Sequence, residues 1–134
     1  MKVVVDTNVL VSALLTPGGA CSDVLDLLLE GLVLPCIDGR IVAEYEDALR
    51  APLSTFTATQ VNAVLEMMRE DGEWAFAPRL SVRVPHLADL PFLEVATATD
   101  SILITGNKRH FPKRCCGSVI VLSPREFLDL FHRS

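Results

Sequence analysis

A chain of 134 residues, half of them hydrophobic and 22% charged, has the composition of one globular domain with its own core, which excludes a disordered segment and a disulfide-stapled miniprotein. Acidic residues outnumber basic ones 17 to 12, and the net charge of −5 disfavours indiscriminate adhesion to nucleic acid or anionic lipid. No apolar run reaches the roughly 20 residues of a bilayer span, because Asp26 and Glu30 interrupt the longest candidate, so no membrane partner is expected.

Val3 to Val5 form a first apolar run of strand length, which Asp6 and Asn8 end too early for a signal peptide. A short helix is expected over residues 9–15. Over 20–30, Val24, Leu27 and Leu28 at i, i+3, i+4 predict a second, with Gly31 at its C-terminal end. A second strand, 33–37, precedes a helix over 39–50. Val61, Val64, Leu65 and Met68 give 58–71 helical spacing, and Gly72 falls at its end. The run EWAFA at 73–77 reads as a third strand. An almost wholly apolar helix follows at 90–99, then strands at 101–105 and 118–122, and a last helix at 124–131 that Ser123 caps and Pro124 begins.

Apolar strands separated by helices, each strand reading as buried on both faces, predict a mostly parallel sheet covered on both sides. The fold class is therefore α/β, a three-layer sandwich within a single domain spanning residues 1–134. Cys21, Cys36, Cys115 and Cys116 show no CxxC spacing, so neither zinc nor a disulfide framework is expected, and reduced thiols fit a cytoplasmic location.

In parallel sheets ligands bind at the carboxyl ends of strands, which directs attention to the polar residues found there. Asp6, Thr7 and Asn8 follow the first strand, although one of them alone would serve as a helix cap. Glu44 and Glu46 lie on opposite edges of the apolar stripe of the 39–50 helix, and periodicity cannot choose between them. Asp89 precedes the 90–99 helix, where capping is again an alternative. Glu94 is the only charge between Leu90 and Thr99 and is a candidate supporting residue. Thr105, Gly106 and Asn107 follow the fourth strand. Just beyond them Lys108, Arg109, Lys113 and Arg114 contribute four of the 12 basic residues, a candidate phosphate-binding segment that also includes His110. His86 and His132 show no ligand-like spacing.

Taken together, DTNVLVSALL, the acid at Glu44, Asp89 with PFLEVA behind it, and ITGNKRHF resemble the PIN-domain nucleases over nearly the whole chain. The likeness is greatest to compact VapC-like toxin components of toxin–antitoxin pairs. It implies a parallel five-stranded sheet in the order 3-2-1-4-5, which would bring Asp6 and Asn107 to one crevice. The family's acidic quartet maps onto Asp6, Glu44, Asp89 and Asn107, the last a departure where many members carry Asp. An Asn can still hydrogen-bond a ligating carboxylate or a coordinated water. Asp6 and Asp89 would be direct metal ligands, and Glu44 would bind a second metal or orient water. Asn8, Thr7 and Thr105 would support them.

Crowded carboxylates resist ionisation unless a cation neutralises them, and hard oxygen ligands select Mg²⁺ or Mn²⁺. The resemblance thus implies metal-assisted hydrolysis of RNA, a small antitoxin covering the crevice, and a homodimer. Two other classes compete. A haloacid dehalogenase-type phosphatase would need a second acid where Asn8 stands. A noncatalytic PIN-like module binding RNA or protein would keep the fold without turnover.

Overall fold

The computed structural model describes residues 1–52 and 54–134. Five strands, β1 (Lys2–Val5), β2 (Leu34–Ile37), β3 (Glu73–Trp74), β4 (Ile102–Ile104) and β5 (Val121–Leu122), form one sheet in the order β3-β2-β1-β4-β5. Every pairing is parallel. Among the described residues the seven α-helices are α1 (Thr7–Leu15), α2 (Ala20–Leu29), α3 (Gly39–Leu49), α4 (Ala58–Asp71), α5 (Leu90–Thr99), α6 (Lys113–Cys116) and α7 (Pro124–Arg133). The expected α/β architecture and strand order are both present.

Given this order, the handedness of parallel crossovers decides which face of the sheet each helix takes. From β1 the chain steps outward one way through β2 to β3, then returns across the sheet to β4 and β5. Right-handed connections therefore put the first helices and α5 on opposite faces. Accordingly α2 packs against α1, α4 and α7, while α5 lies against β1, β2 and β4. Val3, Val4 and Val5, central in the sheet, are at most 1% exposed. Burial on both faces explains why this strand reads as an unbroken apolar run.

The edge strands depart from the expectation of double burial. β3 has only two residues, with Trp74 exposed, and β5 is also only two residues long. An edge strand has one neighbour, so its outer side is not enclosed. Beyond Trp74 the Ala75 N–H still donates to the Ile37 carbonyl at 2.7 Å, but residues 75–84 form neither strand nor helix. Ala75, Ala77, Leu80, Val82 and Val84 pack against the core, while Phe76, Arg79 and Arg83 point outward.

Local signals set the helix ends. Thr57 with Gln60 and Ser123 with Glu126 form capping boxes at α4 and α7, and Asp38 accepts from the Ile41 N–H at α3. Gly31 follows α2 in the left-handed region at φ +75°. Gly72 has an extended backbone at φ −73°, and its need for glycine is steric: a Cβ there would lie 2.3 Å from the Met68 carbonyl oxygen. Gly72→Ala should therefore force the end of α4 away from β2 and cost on the order of 2 kcal/mol, read as a lowered urea midpoint. A change below about 0.5 kcal/mol would show that this junction relaxes freely.

Among the described residues, no single helix is long and apolar enough to cross a membrane. α1 and α2 would do so only as a pair, and they are bent by 104°.

Candidate functional site

The β1–β4 pairing sets Val5 opposite Ile104, so the residues that follow, Asp6 and Thr105, emerge side by side at the carboxyl edge of the sheet. The Asp6 N–H continues the ladder to the Ile104 carbonyl at 2.9 Å. Asp6 occupies the N-cap position of α1, yet its side chain makes no cap hydrogen bond. Instead its Oδ2 accepts from the Thr105 hydroxyl at 2.8 Å and from Asn8 Nδ2 at 3.3 Å. Asn8 Oδ1 in turn accepts from the Gly106 N–H at 3.0 Å, tying the two loops together. Helix capping does not account for this carboxylate.

Tyr45, wholly buried on α3, donates its hydroxyl to the Val5 carbonyl and so fastens α3 to the end of β1. Its neighbour Glu44 is thereby presented to the same edge, where Oε2 accepts from the Thr7 hydroxyl. Glu46 turns the other way, to Arg69 on α4 at 2.7 Å. Tertiary packing thus separates two acids that helical periodicity left equivalent.

Asp89 closes a 3₁₀ turn (Leu87–Asp89) ahead of α5, and it also makes no cap hydrogen bond. Its Oδ2 is buried and has no hydrogen-bond partner. Nδ1 of His110 stands 2.9 Å away, but off the axis that a hydrogen bond requires. Burial, aided by the charges of Asp89 and Glu44 and partly opposed by the Thr105 hydrogen bond, raises the Asp6 carboxyl to about 6. Asp6, Glu44 and Asp89 therefore share one electrostatic environment. Among the described residues, no group of three His, Cys, Asp or Glu side chains is gathered as a ready metal cage.

Asn107 is joined to this cluster indirectly. Its N–H donates to Thr105 Oγ1 at 3.0 Å, and its amide nitrogen lies 2.9 Å from His110 Nε2. Glu94 is placed differently from the supporting role expected of it. Only 1% exposed, it receives Arg40 Nη1 at 2.6 Å and the Leu80 N–H at 2.7 Å, and it makes no hydrogen bond to Asp6, Glu44, Asp89 or Asn107. It anchors the 75–84 segment to α5 and α3.

The basic segment is also divided. Lys108 pairs with Glu126 at 2.9 Å, and the carboxyl of Glu126 is lowered to about 2 by the Ser123 N–H and by Lys108. Arg109, Lys113 and Arg114 are exposed and form no ion pair among the described residues. Two histidines near Asp89 are not singled out by the sequence. His110 reads only as part of a basic run, and His86, whose ring centroid is 4.0 Å from that of His110, shows no signal because 24 positions separate them. The only local cue for His110 is its position one turn after Asn107.

The PIN domain family model matches residues 2–109 of the chain. An uncharacterized protein of Methanocaldococcus jannaschii, MJ1680, is 26% identical over 149 residues, covering 99% of this chain and 93% of its own length. Two crystal structures share the fold. VapBC2 from Rickettsia felis, bound to a DNA fragment from their promoter, has a TM-score of 0.61 and 18% identity, over 92% of this chain and 98% of that one. FitAcB from Neisseria gonorrhoeae has a TM-score of 0.54 and 19% identity, with the same coverage of 92% and 98%.

Proposed function

The chain belongs to the PIN-domain family, and from that premise we propose that it is a divalent-cation-dependent endoribonuclease, the toxin of a toxin–antitoxin pair. The observation that carries this reading is the Asp6 carboxyl, buried and raised to about 6 beside the charges of Asp89 and Glu44. A fold gains nothing from such crowding, whereas a cation site requires it.

The residues fit a hard divalent cation. Among the described residues the buried Asp89 Oδ2 accepts no hydrogen bond, although Nδ1 of His110 stands 2.9 Å away, so its lone pairs are open to a cation. Mg²⁺ is ordinarily held by one or two carboxylates while keeping several waters, so an open pair suits it better than a closed cage. Asp6 and Asp89 would hold Mg²⁺ or Mn²⁺, with Glu44 beside them. When bound, the cation supplies positive charge that lowers the pKa of water and offsets charge at the phosphodiester.

The chain's own groups do the positioning. Thr105 and Asn8 hold Asp6 by Oδ2, and Thr7 holds Glu44 by one oxygen. Glu44 Oε1 would orient the attacking water. Arg109, Lys113 and Arg114 would hold the RNA backbone, and Lys108 would do so in competition with Glu126. The antitoxin, and a second copy of the chain in a homodimer, are the protein partners of this reading. An Arg from the antitoxin set against the acids would complement them.

Purified protein should cleave RNA with Mg²⁺ or Mn²⁺ and lose that activity in EDTA. Asp89→Asn should lower the rate at least about 100-fold, since one cation ligand is lost from the reacting centre. Undiminished cleavage by Asp89→Asn would overturn the site. Absence of cleavage across diverse RNAs, with RNA still bound, would favour the noncatalytic module.

A further inference from the structure

Asn107 stands where the resemblance calls for an acid, and its contacts give it a different task. Its amide nitrogen, 2.9 Å from His110 Nε2, can only donate a hydrogen bond, so Nε2 accepts and carries no proton. The ring proton then sits on Nδ1. That nitrogen is the one 2.9 Å from Asp89 Oδ2. Both partners are braced: the His86 ring lies against His110 with centroids 4.0 Å apart, and the Asn107 N–H is bonded to the Thr105 hydroxyl that also serves Asp6. A chain of contacts therefore runs from Asp6 through Thr105, Asn107 and His110 to Asp89.

We propose that Asn107 and His110 are a positioning pair, in which Asn107 selects the Nδ1-protonated tautomer of His110 and His110 holds Asp89 facing a divalent cation. The inference rests on the cation-site reading above. The off-axis approach of Nδ1 attracts the Asp89 carboxylate without consuming an Oδ2 lone pair, which stays available to the cation. An acid at position 107 would accept where Asn107 donates. Nε2 would then carry a proton, and the tautomer bearing its proton on Nδ1 alone would no longer be selected. Asparagine is thus the residue this histidine needs, and position 107 is not a ligand position in this chain.

The test combines ring-nitrogen NMR with Mn²⁺ titration of the full chain, neither of which requires RNA cleavage. In mildly alkaline buffer, long-range ¹H–¹⁵N correlations of His110 should show a protonated Nδ1 and a bare Nε2, and Asn107→Asp should place a proton on Nε2. Mn²⁺ affinity should fall about 10-fold in Asn107→Asp and in His110→Phe. His110→Asn, whose amide can return a donor toward Asp89, should recover affinity to within about threefold of the parent. Asn107→Asp is isosteric, so the comparison survives if His110→Phe fails to fold. A proton on Nε2 in the parent chain, or tighter Mn²⁺ binding by Asn107→Asp, would overturn the pair. The expected NMR and Mn²⁺ results without any RNA cleavage would refute the nuclease assignment and leave the pair standing.

Discussion

Replacing Asp6 by Asn should abolish metal-dependent RNA cleavage and at the same time make the cation-free protein more stable at neutral pH. The two effects have one cause. A carboxyl whose pKa rises from 3.8 unfolded to about 6 folded binds more protons in the folded state between those values. Its contribution thus favours folding at low pH and declines as pH rises through about 6. At pH 7 the full penalty is present, roughly 3 kcal/mol for a displacement of this size. Asn carries no charge and can still accept from Thr105. Asp6→Asn should therefore gain about 1–3 kcal/mol at pH 7 in EDTA, with the gap to the parent closing as pH falls from about 6 toward 4.

Urea unfolding of both proteins from about pH 4 to 7 measures that gap directly. Glu126 does not confuse it, because its depressed carboxyl withdraws stability only as pH falls from the ordinary glutamate range toward about 2. Mg²⁺ or Mn²⁺ should raise the stability of the parent and leave Asp6→Asn nearly unchanged, since a cation bound only by the folded chain stabilises it by mass action. Equal stability of the two proteins at pH 7 would show that Asp6 is not under electrostatic load.

Removing the Arg40 side chain, as in Arg40→Met, should destabilise the fold by about 2–3 kcal/mol without eliminating cation binding. Glu94 is 1% exposed while Arg40 is 43% exposed, so the mutation strands a buried carboxylate that retains only the Leu80 N–H. Half-exposure of the Arg holds the loss toward the lower end of what a broken buried pair costs. The double change Arg40→Met with Glu94→Gln should recover part of it, because no buried charge is then left alone. Limited proteolysis should also cut residues 75–84 sooner, since Leu80 is fastened through Glu94. An unfolding midpoint unchanged from the parent would remove Glu94 from the structural role assigned to it. Loss of Mn²⁺ binding with stability intact would return it to the site.

These two acids show how differently position is encoded. Asp6 is legible as a candidate site residue because a buried apolar strand ends on it and the strand's carboxyl edge is where loops converge. Glu94 looked unusual for the same reason, an isolated charge in an apolar helix, yet its partner Arg40 is 54 residues away and nothing local announces it. Glu44 and Glu46 were symmetric about their helix stripe until Tyr45, hydrogen-bonded to Val5, fixed which edge faced β1. His86 and His110 meet only because the segment after β3 and the turn after β4 come together at one end of the sheet.

Hydrophobic periodicity, capping residues and turn chemistry are properties of neighbours along the chain, and they were enough to determine the α/β class, most helix bounds and the polar residues at strand ends. The short edge strands, the division of the acids between cluster and ion pair, and the histidine beside Asp89 were decided by tertiary structure alone. Burial at an edge, a distant counter-ion and the tautomer of a ring each depend on contacts between residues far apart in sequence, which exist only once the crossovers have set which strands are neighbours.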